Sequence, residues 1–499
     1  MSEIKVTYSG LIAFVIGIVG VISGLIVSIV ITRNLSSLEY GTWLLIMNFI
    51  GYVIILEPII SYWTTREIAR KDESGTTAVI SNGIFSCVGI LVYIIILTVI
   101  APQTDASYDL MLYGIILIPA IFVNRTLIAI NLGFKPHVAS FGLLIYSLIQ
   151  IPTIIFLVYY LELGVIGVII SALCGTLASI ILLLVFGREK LFREFNFKFV
   201  KKWFKLSWLT LYPGIYTLVA LMDVVVFSII TGSVIGISYW GAAMIIPIII
   251  AQAANISWAV YPKILGGNKN KFVQDNFSLL FYFAIPLTAI SLTFAEVGLF
   301  ILNPIYVVAL PVVIFSSIFV FFNMLNTTFY TILSGTEKVD VYEKSRFKDF
   351  LKSKLFYLPT ILLVQYVIYI IVLIVGLTLG TLSNFTAIEL VILWSIIAVV
   401  AHSPFTIYFY HMIKRDLNVS LDFFRISKFL LIAILSFGIS FILVDNFIDY
   451  NQDLIYFITT VVIILLIGIC IYITMTYLTD LKTRNMINAL ISRKHDDLI

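Results

Sequence analysis

Three charged side chains stand inside stretches that are otherwise oil: Glu57 in YVIILEPIISYW (52–63), Arg125 in the apolar run 110–131, and Asp223 in LMDVVVFSII (221–230). Alone at mid-membrane depth, each would cost about 2.5–3.5 kcal/mol to insert. Their chemistry suggests what offsets that cost. A guanidinium presents a planar fork that matches the oxygens of a carboxylate or a phosphate. Glu57 and Arg125 both fall in the inner third of their runs, so they are expected to pair. Two roles fit such a pair: a lock between two helices, or an anion site in which Glu57 holds Arg125 ready for phosphate. Asp223 falls in the outer half of its run, where no basic residue shares its depth. Either neighbouring hydroxyls and amides satisfy it, or it takes up and releases a proton or a cation as a coupling or gating group.

Uncharged polar residues form stripes. Within 238–262, Gln252 and Asn255 share a helical face with Trp258 beside it. Within 307–334, Ser316, Asn323, Asn326 and Tyr330 are spaced 7, 3 and 4 apart, again one face. Ser395 and His402 are seven apart within 387–413, and Asn124, Tyr146 and Gln150 add polar positions in the first third of the chain. Amides and tyrosines suit sugar hydroxyls and sugar C–H faces, and they also glue helices together. As stripes they predict a polar cavity. Cys87, Cys174 and Cys470 are far apart in apolar runs and read as small core residues, with no disulfide and no metal site. No cofactor is implied, although coupling to H+ or Na+ remains open.

These groups must be positioned by membrane helices. The chain has 499 residues, 61% hydrophobic and 12% charged, with a mean hydropathy of +1.09, whereas a soluble domain carries roughly 25% charge. A net charge of +4 gives no sign of nucleic acid as a partner. Runs of about 20 apolar residues, the length of a span, occur at 8–32, 41–63, 79–101, 110–131, 138–160, 164–186, 207–231, 238–262, 276–302, 307–334, 355–380, 387–413, 427–444 and 454–478, which makes fourteen. The first run is too long for a signal-peptide core and should remain as a span. With the N-terminus inside, 29 of the 31 Lys and Arg residues lie in cytoplasmic segments or, for Lys428, at the cytoplasmic edge of a span, and only Arg33 lies in an outer loop. Both termini are therefore expected in the cytoplasm of a cell-membrane protein. No loop is large enough for a soluble catalytic domain, so an enzyme is not expected.

A repeat organises the spans. Thr32 and Tyr40 correspond to Thr231 and Tyr239, and INLGFKP around Gly133 corresponds to ILSGTEK around Gly335, at offsets of 199 to 202 residues. That offset equals six spans, so the copies have the same orientation, the parallel type of transporter repeat. The expected architecture is all-α: an N-lobe at 1–186, a connector at 187–206, a C-lobe at 207–426, two extra spans at 427–480 and a cytoplasmic tail at 481–499. The lobes are expected to face each other across a central cavity. In the connector, Lys190, Arg193, Lys198, Lys201, Lys202 and Lys205 alternate with Phe192, Phe195, Phe197, Phe199, Trp203 and Phe204. This pattern suits an interfacial helix with its aromatic side in lipid and its charges on anionic head groups.

RNLSSLEYGTWLLI followed by TTREIAR resembles the opening of Wzx-type polysaccharide-export flippases. Their R-x-L-x-x-x-x-Y-G and T-R-x-I-A patterns fall on Arg33, Leu35, Tyr40 and Gly41, then on Thr65, Arg66, Ile68 and Ala69. LMDVVVFSIITGSVIGISYWGAA is similar to the family's seventh helix, which places Asp223 on its aspartate, and ILNPIYVVALPVV is similar to its ninth-to-tenth connection. The resemblance covers roughly 1–415. Two departures are Glu57-Pro58, where many relatives have Asp-Leu-Gly, and fourteen spans, where many have twelve. The resemblance implies a multidrug/oligosaccharidyl-lipid/polysaccharide (MOP) exporter fold. It also implies movement of a polyprenyl-phosphate- or pyrophosphate-linked oligosaccharide from the inner to the outer leaflet by alternating access. Membrane lipids and glycan-assembly glycosyltransferases would be its partners, and a monomer is expected. A cation-coupled exporter of small amphiphiles from the same superfamily is the alternative. A membrane-embedded glycan polymerase or glycosyltransferase is a further one, and it lacks the outer loop such enzymes use.

Overall fold

The computed structural model describes residues 2–70, 72–191, 194–205, 207–258, 270–337, 351–450, 453–485 and 487–488. Among these there are helices and no strands, as hydrocarbon requires when no closed barrel forms: a helix satisfies its own backbone polar groups. Twelve helices are long and apolar enough to cross a membrane, and two bent pairs raise the total to fourteen. They match the expected runs one for one. The shortest expected run, 427–444, is a helix over Phe423–Phe447.

The two bent pairs are spans 2 and 8. Span 2 consists of Ser37–Ile54 and Pro58–Ala69, inclined by 58°, and span 8 bends by 51° between Ile235–Ile245 and Ile248–Ala254. Pro58 and Pro247 sit at the breaks, where a missing N–H and a fixed φ favour restarting a helix over continuing one. These are the second spans of the two repeat copies. The fourth spans differ in detail: span 4 starts as an α-helix at Tyr108–Tyr113 and passes through a 3-10 turn at Gly114–Ile116 before Leu117–Phe134, whereas span 10 starts with a 3-10 turn at Pro304–Ala309 before Leu310–Ser334. Thr32 and Thr231 both donate to the carbonyl four residues back, each at 2.8 Å.

The chain packs as two compact units. One holds 19–245 and 345–401, the other 1–18, 246–344 and 402–499. This grouping by packing is separate from the lobes at 1–186 and 207–426, which the sequence repeat defines. In the first unit, the motif glycines mark close backbone approaches. A Cβ on Gly41 would stand 2.2 Å from the Val234 carbonyl oxygen, and one on Gly133 2.6 Å from that of Thr65. Thr65 adds a bond from its hydroxyl to Ala129 O at 3.0 Å. Spans 2 and 4 therefore touch backbone to backbone at the T-R-x-I-A motif. In the second unit, Tyr282, Phe429, Phe437 and Tyr472 form an aromatic core between spans 9, 13 and 14, and Tyr472 donates to Tyr282 O at 2.9 Å.

Two expectations are corrected. Cys87 and Cys470 are exposed on their helices and Cys174 is half-buried, so none is a core residue. Apolar runs of this kind are lipid-facing on one side, and hydropathy does not say which. The connector helix, Phe197–Lys205, exists as expected, but its Trp203 is fully buried against Ile59, Ile60 and Ala78 instead of lying in lipid.

Candidate functional site

Glu57 lies at the break of span 2 and is 2% exposed. Ser61 Oγ donates to its Oε2 at 2.9 Å, and Asn82 Nδ2 from span 3 donates to its Oε1 at 3.0 Å. Asn82 Nδ2 also reaches Thr126 Oγ1 of span 4 at 2.6 Å. A carboxylate, an amide and two hydroxyls thus join three spans. Asn82 was not singled out from the sequence; a lone amide in an apolar run carried no signal until its partner was known.

The expected Glu57–Arg125 ion pair is not formed. The Arg125 charge acts on the Glu57 carboxylate, but among the described residues no ion pair joins them. Arg125 is one residue before Thr126 on span 4, about 100° round the helix, and its side chain is exposed. Span 4 is packed by spans 3, 5 and 6 and by the second half of span 2. The sector carrying Arg125 is the one these neighbours leave uncovered. An ionised group on a span faces a bundle interior or a water-filled cavity, because hydrocarbon would not hold it.

Asp223 begins the second segment of span 7, Met222–Thr231. Its Oδ1 accepts from Val224 N at 2.7 Å and its Oδ2 from Tyr369 Oη of span 11 at 3.2 Å. Trp394 Nε1 of span 12 donates to that same Tyr369 oxygen at 2.6 Å. Trp394 is fully buried, stacked on Trp240 at 4.2 Å and Phe227 at 5.1 Å, so the chain of donors is held rigidly. Tyr366 packs edge-on to Tyr369 at 6.4 Å and stacks on Tyr216 at 6.0 Å. The carboxylate therefore sits among tyrosines, and neither of its hydrogen-bond donors is a cation. Tyr366 and Tyr369 were not picked out from the sequence, although their spacing of three on an apolar span was the available signal.

The remaining candidates disperse. Asn124 accepts from Ser179 Oγ at 3.0 Å, tying span 4 to span 6, and Gln150 is buried on span 5. Gln252 accepts from Asn255 Nδ2 at 2.9 Å, and the pair lies against Gly17 of span 1, where a Cβ would come within 2.2 Å of the Gln252 oxygen. The Trp258 side chain lies outside the described residues. On span 10, Asn323 and Tyr330 are half-buried, whereas Ser316 and Asn326 are buried, and among the described residues the Asn326 amide has no hydrogen-bond partner. His402 is fully buried with its ring edge-on to Phe319 at 4.8 Å.

At the end of the first unit that the charge count assigns to the outside, Asp105 joins two loops. Its carboxylate accepts from Ser233 Oγ at 2.8 Å and from Val234 N at 2.7 Å, and its own N–H donates to Gly232 O at 3.1 Å. Gly232 has φ +67°, a left-handed conformation that glycine adopts without strain. Asp105, from the loop between spans 3 and 4, thereby caps the N-terminus of span 8.

No protein-family model matches the chain, and no curated protein does. Solved structures do. A lipid II flippase, MurJ, in an inward closed conformation is similar over 96% of this chain and 100% of its own, with a TM-score of 0.63 and 15% identity. A MOP superfamily transporter from Pyrococcus furiosus is similar over 84% of this chain and 97% of its own, with a TM-score of 0.57 and 13% identity. An inward-facing multidrug resistance MATE transporter is similar over 82% and 98%, with a TM-score of 0.56 and 12% identity. The chain has the fold of the MOP-superfamily transporters.

Proposed function

We propose that this multi-pass membrane protein moves a polyprenyl-(pyro)phosphate-linked oligosaccharide between leaflets by alternating access. The observation that carries the reading is Arg125, a guanidinium exposed on a span beside a carboxylate it does not touch. Its donors are left for an anion, and a phosphate fits the fork bidentately. A diphosphate head with several sugars cannot cross about 30 Å of hydrocarbon unaided, because each unsatisfied polar group costs several kcal/mol there. Likeness to a lipid II flippase over nearly the whole chain, the last two spans included, supports a lipid-linked substrate.

A second reading, a cation-coupled exporter of small amphiphiles, is favoured by the tyrosine-lined Asp223 and by likeness to multidrug transporters. One experiment separates the two. The protein is reconstituted in liposomes with a fluorescent polyprenyl-diphosphate oligosaccharide, and the fraction open to an impermeant quencher is followed. The flippase reading expects faster transbilayer exchange, reduced at least about tenfold by Arg125→Ala, the loss of one charge-assisted contact. No acceleration, together with ion-driven efflux of a small cationic dye, would establish the exporter instead.

A further inference from the structure

The connector helix Phe197–Lys205 has three faces. At 100° per residue, Phe199, Val200 and Trp203 share one, Phe197 and Phe204 a second, and Lys198, Lys201, Lys202 and Lys205 a third. The first face is docked. Trp203 is fully buried, and its Nε1 donates to Glu67 Oε2 at 3.1 Å; Lys202 Nζ pairs with Glu67 Oε1 at 2.9 Å. Glu67 is itself 2% exposed, near the end of span 2. The N-terminus is fixed as well: Asn196 Oδ1 accepts from Lys198 N, and Asn196 N donates to Thr77 Oγ1 of span 3, both at 3.0 Å. The helix is therefore a rigid part of the bundle.

The other two faces are open. Phe197 is 68% exposed and Phe204 44%, with Phe204 edge-on to Phe85 of span 3 at 5.3 Å. Phe85 is ten residues, about 15 Å, beyond Gly75, where span 3 starts. Span 3 has 26 residues, about 39 Å, so it overshoots a hydrocarbon core of about 30 Å at its ends. That puts Phe85, and Phe204 against it, about 10 Å inside the acyl boundary, a depth the apolar side of an interfacial helix reaches. The four lysines are exposed along the neighbouring edge. Arg66 and Arg70, near the end of span 2, are exposed as well.

We infer that this edge is a binding site for anionic phospholipids of the leaflet that the charge count places on the cytoplasmic side. The aromatic pair enters the acyl boundary, and Lys198, Lys201 and Lys205 meet the head-group phosphates. Lys202 is divided between the lipid face and Glu67. Because the helix is clamped to span 2 through Glu67, the bound lipids brace the half of span 2 that follows the break at Glu57. The site is independent of which substrate is moved.

The test uses the full chain in nanodiscs of phosphatidylcholine with a minor fraction of phosphatidylglycerol, and counts retained lipids by native mass spectrometry after mild detergent release. The unaltered protein should retain phosphatidylglycerol preferentially, and the preference should weaken with salt. The variant Lys198→Gln, Lys201→Gln, Lys205→Gln keeps Lys202 and Trp203 and should fold with the same thermal midpoint. Each lysine near the surface contributes about fivefold in affinity, so the variant's preference should drop on the order of 100-fold. Equal retention of the two lipids by the unaltered protein would overturn the inference, as would an unchanged preference in the variant. Loss of polyprenyl-phosphate binding with phosphatidylglycerol retention intact would assign the edge to a transported lipid and would also overturn it.

Discussion

Removing Asp105 should open the end of the molecule that the charge count puts outside. Asp105 accepts two hydrogen bonds from the start of span 8, from Ser233 Oγ and Val234 N. Beneath them, Val234, Ser238 and Gly241 share one face of span 8 at spacings of four and three, and that face packs on span 2. Gly41 of span 2 abuts Val234, and Leu44 abuts Gly241. Asp105→Ala deletes both accepted bonds and leaves the glycine contact intact. Each bond contributes roughly 1 kcal/mol net at an exposed site. Two such bonds raise the fraction of molecules open at this end by about 30-fold. Ser238 is fully buried in the closed arrangement. In a background without Cys87, Cys174 and Cys470, Ser238→Cys should react slowly with a membrane-impermeant maleimide, and about 30 times faster when Asp105→Ala is added. Asp105→Asn can keep both bonds, its oxygen to Val234 N and its amide to Ser233 Oγ, so it should fall between the two. An unchanged labelling rate in Asp105→Ala would refute the reasoning, because the closure would then rest on the glycine contact alone.

Glu57→Gln should fold nearly as well as the parent, since an amide can accept from Asn82 and donate to Ser61. Glu57→Leu strands both partners and should cost roughly 1–3 kcal/mol of stability, read as a lower thermal midpoint in detergent; equal losses in the two variants would mean that the charge itself is needed. Asp480 lies just past the last span. Burial opposes its charge, but hydrogen bonds from Arg425 and Thr483 outweigh that and hold the carboxyl below the ordinary aspartate range. A carboxyl held low stabilises the fold at pH values above its unfolded value and loses that contribution as pH falls through its own lower one. The parent should therefore unfold at a higher temperature than Asp480→Asn at pH 7. The gap should close as the pH is lowered past the aspartate range, and a gap that persists in acid would contradict the assignment.

The spans were legible because hydrocarbon imposes a length and a composition, and any sequence that crosses it must show both. The breaks were half legible. Pro58 and Pro247 mark positions where a helix is hard to continue, but many prolines in this chain sit within unbroken helices, Pro152 and Pro404 among them. What decides is whether neighbouring groups absorb the freed backbone, and that is a tertiary fact. The partners of the buried charges were not legible at all. Asp223 meets Tyr369 across 146 residues and Glu57 meets Asn82 across 25. Depth alone suggested Arg125 for Glu57, since two groups at one depth on neighbouring spans can still face different sectors. Trp203 shows the same limit. An aromatic beside lysines is equally at home in lipid and in a protein crevice, and Glu67, which decides the matter, reads in TTREIAR as an ordinary loop carboxylate.

The two repeat copies share a framework and differ in their charges. The bends of spans 2 and 8 and the back-bonded threonines Thr32 and Thr231 are shared. The charges are not. The offset of 202 that joins Gly133 to Gly335 carries Arg125 to Thr327, which is exposed on span 10 as Arg125 is on span 4. The offset of 199 that joins Thr32 to Thr231 carries Asp223 back to Gly24. Around the break of span 8, IPIIIAQAANISW holds no acidic residue to match Glu57. The first copy thus keeps a cation where the second keeps a hydroxyl, and the second keeps a carboxylate where the first has no side chain. A symmetric framework can bend in both halves alike. An amphiphile with one anionic end needs a site that is charged in only one half, and a coupling group in the other half can then respond without competing for the same ligand. In the proposed reading Arg125 is that site and Asp223 that coupling group, and the repeat does not equate their positions.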